Sequence, residues 1–385
     1  MKDMICNKCS ATSRLRLGLL GDSSAYVYEM IQNLEGNVEI HLFTINSSKN
    51  SLCPFQPGNY SFVKLTPKPL LFCLPPYLKL KKYTDEIDIM AIHFLGFWWE
   101  LLLAMKVTKK PTIFFVYGSD VNRKYILPHF LLKKYVLRNL SLIVAETEYQ
   151  KKYLLDRYGV KPENIVTDVL WWNVKPCFRK HDADKCCSLR KKWGLGKRHI
   201  IFSPRVCRSL YQHHLLIEAV SLLDDNLKRD VQIVLTQANT SNELISYTSE
   251  LKQLAENLDV SLKIIPKRLS PEEMAEIYNV SIMNVNIPDI DQFGRSIIEG
   301  CLCGCIPLLN DEIIHYHERL EHKKNCIFVK PNPQSIADGI ADIIDNYKEY
   351  YERMYKNNYL IFKEYTDVEN NNQKLYDLLC RCAGK

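Results

Sequence analysis

The stretch Ile282-Met-Asn-Val-Asn-Ile-Pro-Asp-Ile-Asp-Gln-Phe-Gly-Arg-Ser-Ile-Ile-Glu-Gly-Cys-Leu-Cys-Gly-Cys-Ile-Pro307 decides the fold class. It begins with the apolar run Ile282–Ile287, which is typical of a buried strand. Gly294 then precedes a segment with helical periodicity, and Gly304 leads into a second apolar run, Ile306–Leu309. Strand, helix and strand in this order predict a βαβ unit with parallel strands.

The same alternation of apolar runs and amphipathic helices continues along almost the whole chain. In the first half we predict strands at Leu15–Leu20, Val38–Ile45, Ile87–His93, Thr112–Tyr117, Leu142–Glu146 and Ile165–Leu170. In the second half we predict strands at His199–Ser203, Val231–Thr236, Leu262–Ile265, Ile282–Ile287, Ile306–Leu309 and Cys326–Val329. Two sets of about six strands predict an α/β chain with two Rossmann-like, doubly wound domains that face each other across a cleft.

The domain limits follow from a change in composition. The segment from Phe178 to Lys197 is polar and charged, without alternation of apolar residues, as expected of a linker. We therefore predict a first domain over 1–180, a linker over 181–197 and a second domain over 198–365. A last helix over 366–385 is expected to pack back on the first domain. Ser270, Pro271 and Glu273 predict a capped helix start inside the second domain.

The composition is that of an ordinary folded protein, with an uneven charge. The 385 residues are 46% hydrophobic and 25% charged, which excludes disordered and fibrous classes. The net charge is +7, and it comes from residues 1–180, which hold 25 basic and 15 acidic residues. This indicates an anionic partner for the first half, such as a membrane surface, a phosphorylated ligand or nucleic acid, or else a solvated lysine-rich surface.

A membrane surface fits this charge better than nucleic acid does. The first half has no arginine-rich stretch interleaved with aromatic residues, so we expect no nucleic-acid partner. Several lysines lie beside apolar segments and favour peripheral contact with an anionic membrane: Lys79, Lys81, Lys82, Lys106, Lys109 and Lys110. No apolar run reaches the length of about 20 residues that a membrane span needs.

The cysteines and the N-terminus bear on localisation. The first residues lack the apolar core and cleavage site of a signal peptide, so we expect a cytoplasmic chain, with peripheral contact at the cytoplasmic face of the membrane. The 14 cysteines are then expected to be free thiols. Cys6-x-x-Cys9 is a single pair without a second pair at zinc-finger spacing, and we predict no metal site.

Strand ends in the second half carry the richest candidate chemistry, because ligands bind at the carboxyl ends of parallel strands. Gly294 and the helix start after it suit a diphosphate. Glu299, on that helix, is placed to meet ribose hydroxyls. Arg205, just past the strand at His199–Ser203, suits a diphosphate leaving group, and Arg208 and Tyr211 follow it. The pair Asp289-x-Asp291 has the competing spacing of a metal-binding D-x-D triplet, which we do not favour.

Strand ends in the first half point to a second set of residues. Gly21-Asp22-Ser23 follows the first strand but does not form the G-x-G-x-x-G fingerprint of dinucleotide-binding dehydrogenases. His93 ends a strand and is expected to face the cleft, or to serve as a structural hydrogen bonder. Gly118 and Asp120 end the next strand and have the same position.

These residues together resemble GT-B-type retaining glycosyltransferases of the family 4 class (glycosyl transferases group 1), over nearly the whole chain. The most specific motif is similar to E-x-F-G-x4-E and stands here as Asp291-Gln-Phe-Gly-Arg-Ser-Ile-Ile-Glu299. The segment Ser203-Pro-Arg205 with Tyr211 resembles the family's donor-phosphate loop. Asp291 replaces the family's first Glu, and Tyr211 stands where a Lys is usual, which puts the identity of the donor in question more than the reaction.

The resemblance implies a role for each residue. Glu299 would bind the ribose of a nucleotide-sugar donor, and Asp291 the hydroxyls of its sugar. Arg205 would neutralise the departing diphosphate without a metal or other cofactor, and His93 would lie beside the acceptor. The other donor-side residues implied are Arg208, Tyr211, Phe293, Gly294 and Arg295, and the acceptor-side residues are Gly21, Asp22, Ser23, His93, Gly118 and Asp120. Sugar transfer to a glycan or lipid-linked acceptor would proceed with retention, in the synthesis of a surface polysaccharide such as lipopolysaccharide or capsule.

Two alternatives share this architecture. A nucleotide-sugar 2-epimerase would need acid/base carboxylates in the first half, where Asp22 and Asp120 are the candidates. A decayed transferase that only binds a glycan or nucleotide sugar would explain the substitutions at Asp291 and Tyr211.

Overall fold

The computed structural model describes residues 14–21, 25–44, 60–64, 74–118, 120–122, 125–237 and 242–385. These residues form two compact units, each built on one parallel sheet. The first unit holds the described residues up to Trp172 together with Glu369–Lys385, and the second runs from Asn173 to Val368. Two parallel sheets with helices between their strands confirm the α/β class. The domain limits at 180, 197 and 365 stay a prediction.

The first sheet has seven described strands, all paired in parallel. In chain order they are β1 (Leu15–Leu20), β2 (Val38–Thr44), β3 (Tyr60–Lys64), β4 (Ile89–His93), β5 (Thr112–Phe115), β6 (Leu142–Val144) and β7 (Ile165–Val166). Their order across the sheet is β3-β2-β1-β4-β5-β6-β7. The direction of winding reverses between β1 and β4, so the ends of these two strands flank the switch point where α/β sheets bind ligands.

The described residues form five α-helices between these strands: α1 (Ala25–Leu34), α2 (Leu74–Thr84), α3 (Phe97–Ala104), α4 (Leu127–Asn139) and α5 (Glu148–Tyr153). Side chains from α2, α3 and α4 share one apolar cluster with the sheet, including Leu80, Trp99 and Leu137. These three helices therefore lie on the same face of the first sheet.

The predicted strands of this unit need three corrections. The strand β3 was not predicted, because an edge strand pairs on one side only and carries a weaker apolar signal. The predicted strand Leu142–Glu146 ends at Val144, since Thr147 already caps α5 by accepting from the Gln150 N–H. The predicted strand Ile165–Leu170 pairs only over Ile165–Val166.

The second sheet has six strands in the order β10-β9-β8-β11-β12-β13. They are β8 (His199–Val206), β9 (Val231–Thr236), β10 (Leu262–Ile265), β11 (Met283–Asn286), β12 (Ile306–Asn310) and β13 (Ile327–Val329). All six predicted strands of this half are thus present. The winding reverses between β8 and β11, so the residues that follow these two strands meet at the second switch point.

The part of this unit that the structure describes contains nine α-helices: α6 (Ala183–Lys192), α7 (His213–Ser221), α8 (Asp225–Asp230), α9 (Asn242–Asn257), α10 (Pro271–Val280), α11 (Arg295–Leu302), α12 (Ile314–His317), α13 (Pro333–Asp345) and α14 (Tyr347–Phe362). The predicted capping box is confirmed, with Ser270 accepting from the Glu273 N–H and Glu273 accepting from the Ser270 N–H. The segment predicted as a linker contains α6, whose side chain Arg190 donates to the Val280 carbonyl at the end of α10.

The chain then returns to the first unit through a last helix, α15 (Val368–Ala383). Leu375, Leu378 and Leu379 are buried on it. After the helix, the Lys385 ammonium lies 2.7 Å from an Asp88 carboxylate oxygen, just before β4. None of the helices in the described ranges is long and apolar enough to cross a membrane.

The predicted βαβ unit β11–α11–β12 is present and packs closely. Asn284 on β11 is fully buried and donates to the Ser296 carbonyl in the first turn of α11. Tyr278 donates to the same carbonyl, and Asn286 joins Asn284 to the Ser296 hydroxyl. Gly300 faces this network, and a Cβ there would lie 2.9 Å from Asn284 Cγ. The helix start is therefore fixed on the sheet by buried hydrogen bonds that leave no room for a side chain at position 300.

We expect Gly300→Ala to destabilise the second unit by about 1–3 kcal/mol, because overpacking outweighs the ~1 kcal/mol that alanine contributes to a helix. The measurement is the urea midpoint of unfolding, followed by circular dichroism. Gly196→Ala is the matched control, since a Cβ there meets nothing within 4 Å. Equal midpoints for the two variants would contradict the close packing.

Candidate active site

A bulge in β8 sets the position of Arg205. Ser203 pairs with Leu235 and Val206 with Thr236, so β8 advances three residues while β9 advances one. The two extra residues are Pro204, which has no N–H to donate to the ladder, and Arg205. Bulges of this kind turn a side chain out of the regular alternation. The Arg205 side chain is thereby aimed at the residues that follow β11.

The Arg205 guanidinium contacts two of the predicted residues. Its Nη2 donates to the Tyr211 hydroxyl at 2.9 Å and to Asp291 Oδ1 at 3.3 Å, and the guanidinium carbon stands 4.4 Å from the centre of the Tyr211 ring. Burial acts to lower the pKa of Arg205, but the charge of Asp291 and the contact with Tyr211 outweigh it, and the net pKa is raised. Arg205 is therefore a permanent, largely buried cation.

Tyr316 holds the other oxygen of the same carboxylate. Its hydroxyl donates to Asp291 Oδ2 at 3.0 Å, and its ring is fully buried against Phe293. Burial, reinforced by the Asp291 charge, raises the pKa of Tyr316 well above its ordinary value, so the hydroxyl remains a donor. Asp291 is thus fixed at both oxygens, by Arg205 and by Tyr316.

Gly294 brings the backbone close to this cluster. It is the N-cap residue of α11, and no side chain caps the helix there. A Cβ at Gly294 would lie 2.9 Å from Arg205 Nη1 and 3.5 Å from Asp291 Oδ2. An arginine cation therefore lies beside the N-terminus of an eight-residue helix, whose own N–H groups and dipole attract anions.

The other predicted donor-side residues surround this centre at different depths. Phe293 is buried and packs on Tyr316 and Phe362. Arg295 and Glu299 are half-buried on the first turns of α11. Arg208 is exposed at the start of the turn Ser209–Tyr211, and its backbone carbonyl accepts from the Tyr211 N–H at 2.9 Å. The roles predicted for these side chains stay predictions.

In the first unit, His93 is enclosed at the end of β4. Its Nδ1 is 2.6 Å from the Tyr117 hydroxyl and its Nε2 is 2.9 Å from Met30 Sδ. The ring stacks on Phe115 and meets the edge of Trp171. Burial lowers the pKa of His93 to about 3, so the ring is neutral. These contacts fit a structural hydrogen bonder, which is one of the two roles that the sequence left open for His93. The other role, a catalytic one beside the acceptor, stays a prediction.

Gly118 and Asp120 lie in the loop after β5, where the described residues are 116–118, 120–122 and 125–126. Gly118 has a φ of 87°, a left-handed conformation that favours glycine. Asp120 is buried, and both of its carboxylate oxygens accept from the Tyr117 N–H. Burial raises the pKa of Asp120 to about 6. Gly21 is buried beside His93, while Asp22 and Ser23 lie outside the described residues.

A buried ion pair that was not predicted as a site holds this loop. Lys133 on α4 is fully buried, donates to the Asp120 and Leu95 carbonyls, and lies 2.5 Å from Glu100 Oε1. His129 approaches the other Glu100 oxygen at 2.8 Å. In the sequence, Glu100 is a charged residue inside the apolar run Phe94–Met105. This interruption was the one sign in the sequence that could have pointed to the ion pair. Tyr316 gave no such signal, because its helix α12 has only four residues.

One cavity of the second unit lies away from these residues. It has a volume of about 790 Å³ and is lined by Lys197, Lys228 and Ser261, among others. These residues precede β8, β9 and β10, so the cavity opens at the amino ends of the strands, opposite Arg205.

Two sequence families match the chain. The family described as glycosyl transferases group 1 matches residues 188–360, and glycosyltransferase family 4 matches residues 23–167. The chain belongs to the GT-B glycosyltransferases of the group 1 and family 4 type. The strands β2 to β7 of this glycosyltransferase fall within the family 4 match and the strands β8 to β13 within the group 1 match, and the predicted family is confirmed. A search of the curated proteins gives no match.

Solved structures share the fold of this glycosyltransferase at low identity. The Anabaena protein Alr3699/HepE in complex with UDP is 16% identical, with 95% of this chain and 100% of that chain covered and a TM-score of 0.79. A glycosyltransferase from Rickettsia africae is 15% identical over 96% and 99% of the two chains, with a TM-score of 0.78. The sucrose-phosphate synthase of Thermosynechococcus elongatus is 13% identical over 96% and 99%, with a TM-score of 0.76. These similarities show the GT-B fold.

The buried Asp120 predicts a specific pH dependence of stability. Its pKa is raised in the folded protein, to about 6 from an ordinary value near 4, so the folded state binds more protons between these values. The free energy of unfolding should therefore fall as pH rises from about 4 to about 6. The Asp120 carboxyl accounts for up to about 3 kcal/mol of this fall. Asp120→Asn should remove that loss, which we would measure as urea midpoints of both proteins at pH 4 and pH 7. If the urea midpoints of the two proteins differ by the same amount at pH 4 and at pH 7, the predicted role of Asp120 is contradicted.

Proposed function

We propose that this glycosyltransferase moves a sugar from a nucleoside diphosphate sugar to a glycan or lipid-linked acceptor, with retention of anomeric configuration and without a metal ion. The reaction belongs to the synthesis of a surface polysaccharide or glycoconjugate, such as lipopolysaccharide or capsule, in the cytoplasm. The donor side is the Arg205–Asp291–Gly294 centre of the second unit.

One observation carries the proposal, namely the Arg205 cation beside the uncapped N-terminus of α11 at Gly294. Both groups attract anions, and a diphosphate spans the distance between neighbouring donors of this kind. The UDP held by the Anabaena structures supports a nucleoside diphosphate as the anion. Arg205 then supplies the positive charge that offsets the departing diphosphate.

Asp291 has a defined part in this scheme. Arg205 now shares its Nη2 between Asp291 and Tyr211. When a diphosphate occupies the guanidinium, Asp291 Oδ1 turns to a hydroxyl of the donor sugar while Tyr316 keeps Oδ2 in place. Asp291 is shorter than the Glu that the family has at this position. The hydrogen bond from Tyr316 compensates for the shorter reach, because it fixes the carboxylate in place.

The transfer step follows from the retention that we propose. The acceptor hydroxyl oxygen forms a bond to the anomeric carbon on the face from which the diphosphate oxygen leaves. The bonding electrons of the broken C–O bond go to the diphosphate, and the acceptor proton passes to a diphosphate oxygen. Arg205 and the α11 N–H groups stabilise the charge that develops on the leaving group.

The test is transfer or hydrolysis of common nucleotide sugars by purified protein, with a chelator present. We expect turnover of at least one donor, and a loss of about a hundredfold or more in Arg205→Ala and in Glu299→Ala. Arg198→Ala is the control, because Arg198 is an exposed arginine paired with Asp230 outside the centre. Normal activity in both site variants would contradict the assignment.

Product analysis separates the alternatives. An epimerase converts the donor to an isomeric nucleotide sugar without acceptor, whereas a transferase releases the nucleoside diphosphate. The anomeric configuration of the product, read by NMR, tests retention. Donor binding without turnover on any acceptor would favour the decayed binding protein.

We also propose that the first unit contacts an anionic membrane. The helix α4 exposes a line of apolar side chains at four-residue spacing, Leu127, Leu131 and Tyr135, and Ile126 before it is 77% exposed. The exposed Arg138 continues the line, and the exposed lysines Lys79, Lys81 and Lys82 lie on α2, on the same face of the sheet. Apolar side chains beside basic ones suit a lipid surface with acidic headgroups.

We expect Ile126→Ser with Leu131→Ser to lower binding to vesicles by about tenfold or more, since each side chain that enters the lipid contributes on the order of 1.5–3 kcal/mol. The measurement is co-sedimentation with phosphatidylglycerol-containing vesicles at low and high salt. The control is Leu222→Ser, an apolar residue of the second unit that is 53% exposed. Binding that is independent of lipid charge, salt and these substitutions would contradict the proposal.

A further inference from the structure

His213 bridges the two ends of the bulge that carries Arg205. It is the first residue of α7 and is 1% exposed. Its Nδ1 lies 3.2 Å from the Ser203 hydroxyl, before the bulge, and its Nε2 lies 3.1 Å from the Val206 carbonyl, after the bulge. The two residues between these contacts are Pro204 and Arg205.

The partners determine the protonation of the ring. A carbonyl only accepts, so Nε2 carries the hydrogen that it donates to Val206. Nδ1 then accepts the hydrogen of the Ser203 hydroxyl. Burial, together with the charge of Arg205, lowers the pKa of His213 to about 4, and the ring is neutral. A neutral imidazole with one donor and one acceptor satisfies both ends of the bulge.

The helix behind the ring makes the bridge rigid. Leu216, Ile217 and Val220 of α7 are buried in the core of the second unit. The neighbouring residue Gln212 has a φ of 49°, unusual for a residue other than glycine, and its side chain donates to Asp289 after β11. The start of α7 is therefore held both by the core and by the loop that carries Asp291.

We propose that His213 is a positioning residue for the donor-phosphate arginine: it clamps the β8 bulge and so holds the Arg205 guanidinium against Asp291 and Gly294. The inference rests on the proposed donor side of the reaction. His213 itself is enclosed behind the bulge and has no part in the chemistry.

The test is a double-mutant cycle on anion binding, measured by calorimetry with UDP and with inorganic pyrophosphate. We expect His213→Ala to weaken both by about tenfold, since a displaced guanidinium loses part of a charge-assisted hydrogen bond. Ser203→Ala removes one of the two contacts and should weaken binding less. In an Arg205→Ala background, the effect of His213→Ala should vanish, because the clamp acts only through Arg205.

Two variants control for folding and for residue type. His213→Gln keeps a donor and an acceptor on one side chain and should restore most of the affinity. His214→Ala removes the adjacent histidine, whose Nδ1 contacts the Tyr247 hydroxyl on α9 and not the bulge, and should leave affinity unchanged. If His213→Ala weakens anion binding as strongly in the Arg205→Ala background as in the wild-type protein, the positioning role of His213 is overturned.

The clamp has a readout that needs no ligand. The ¹⁵N spectrum of histidine-labelled protein, with His213 assigned by its loss in His213→Gln, should show a neutral ring protonated at Nε2 at pH 7. Ser203→Ala should shift its Nδ1 resonance. A ring protonated at Nδ1 would overturn the proposal, whereas wild-type protein that binds neither UDP nor pyrophosphate would refute the proposed donor site alone.

Discussion

A guanidinium that is largely withdrawn from water imposes the arrangement of the second unit around it. Removing a cation from water costs several kcal/mol unless a counter-charge and hydrogen bonds replace the solvent. Asp291 supplies the charge, Tyr211 a hydroxyl, and Gly294 the space for close approach. Three backbone features accompany Arg205 at this point of the sheet. They are the bulge in β8, the left-handed residue Gln212 before α7, and the start of α11, which no side chain caps.

The first unit also buries a cation, with a different outcome. Lys133 is enclosed by Glu100 and two carbonyls, so its three donors are matched within the fold. Arg205 has five N–H groups, and its two hydrogen bonds among the described residues both use Nη2, while Nη1 lies beside Gly294. A saturated cation stabilises a loop, whereas a cation with remaining donors near a helix N-terminus is suited to bind an anion.

The sequence carried enough information for most of the sheet and for the centre of the site. Buried parallel strands appear as apolar runs, and the strand ends at Arg205 and Asp291 then had to converge at a switch point. The strand β3 escaped prediction because an edge is weakly specified. Tyr316 and His213 escaped because their importance comes from partners across the fold, and a bulge at Ser203–Val206 has no short sequence code.

The crossing of α15 back to the first unit has a consequence for synthesis on the ribosome. The chain leaves the first unit after Trp172 and contributes Glu369–Lys385 to it only after the whole second unit. Domains generally fold as they emerge, N-terminal part first. This first unit must wait for the whole second unit to be translated before its last helix is available, so its early form exposes apolar surface that α15 later covers. Nascent chains are then expected to depend on chaperones until α15 has emerged from the ribosome, and loss of the last turns of α15 is expected to damage the unit that was made first.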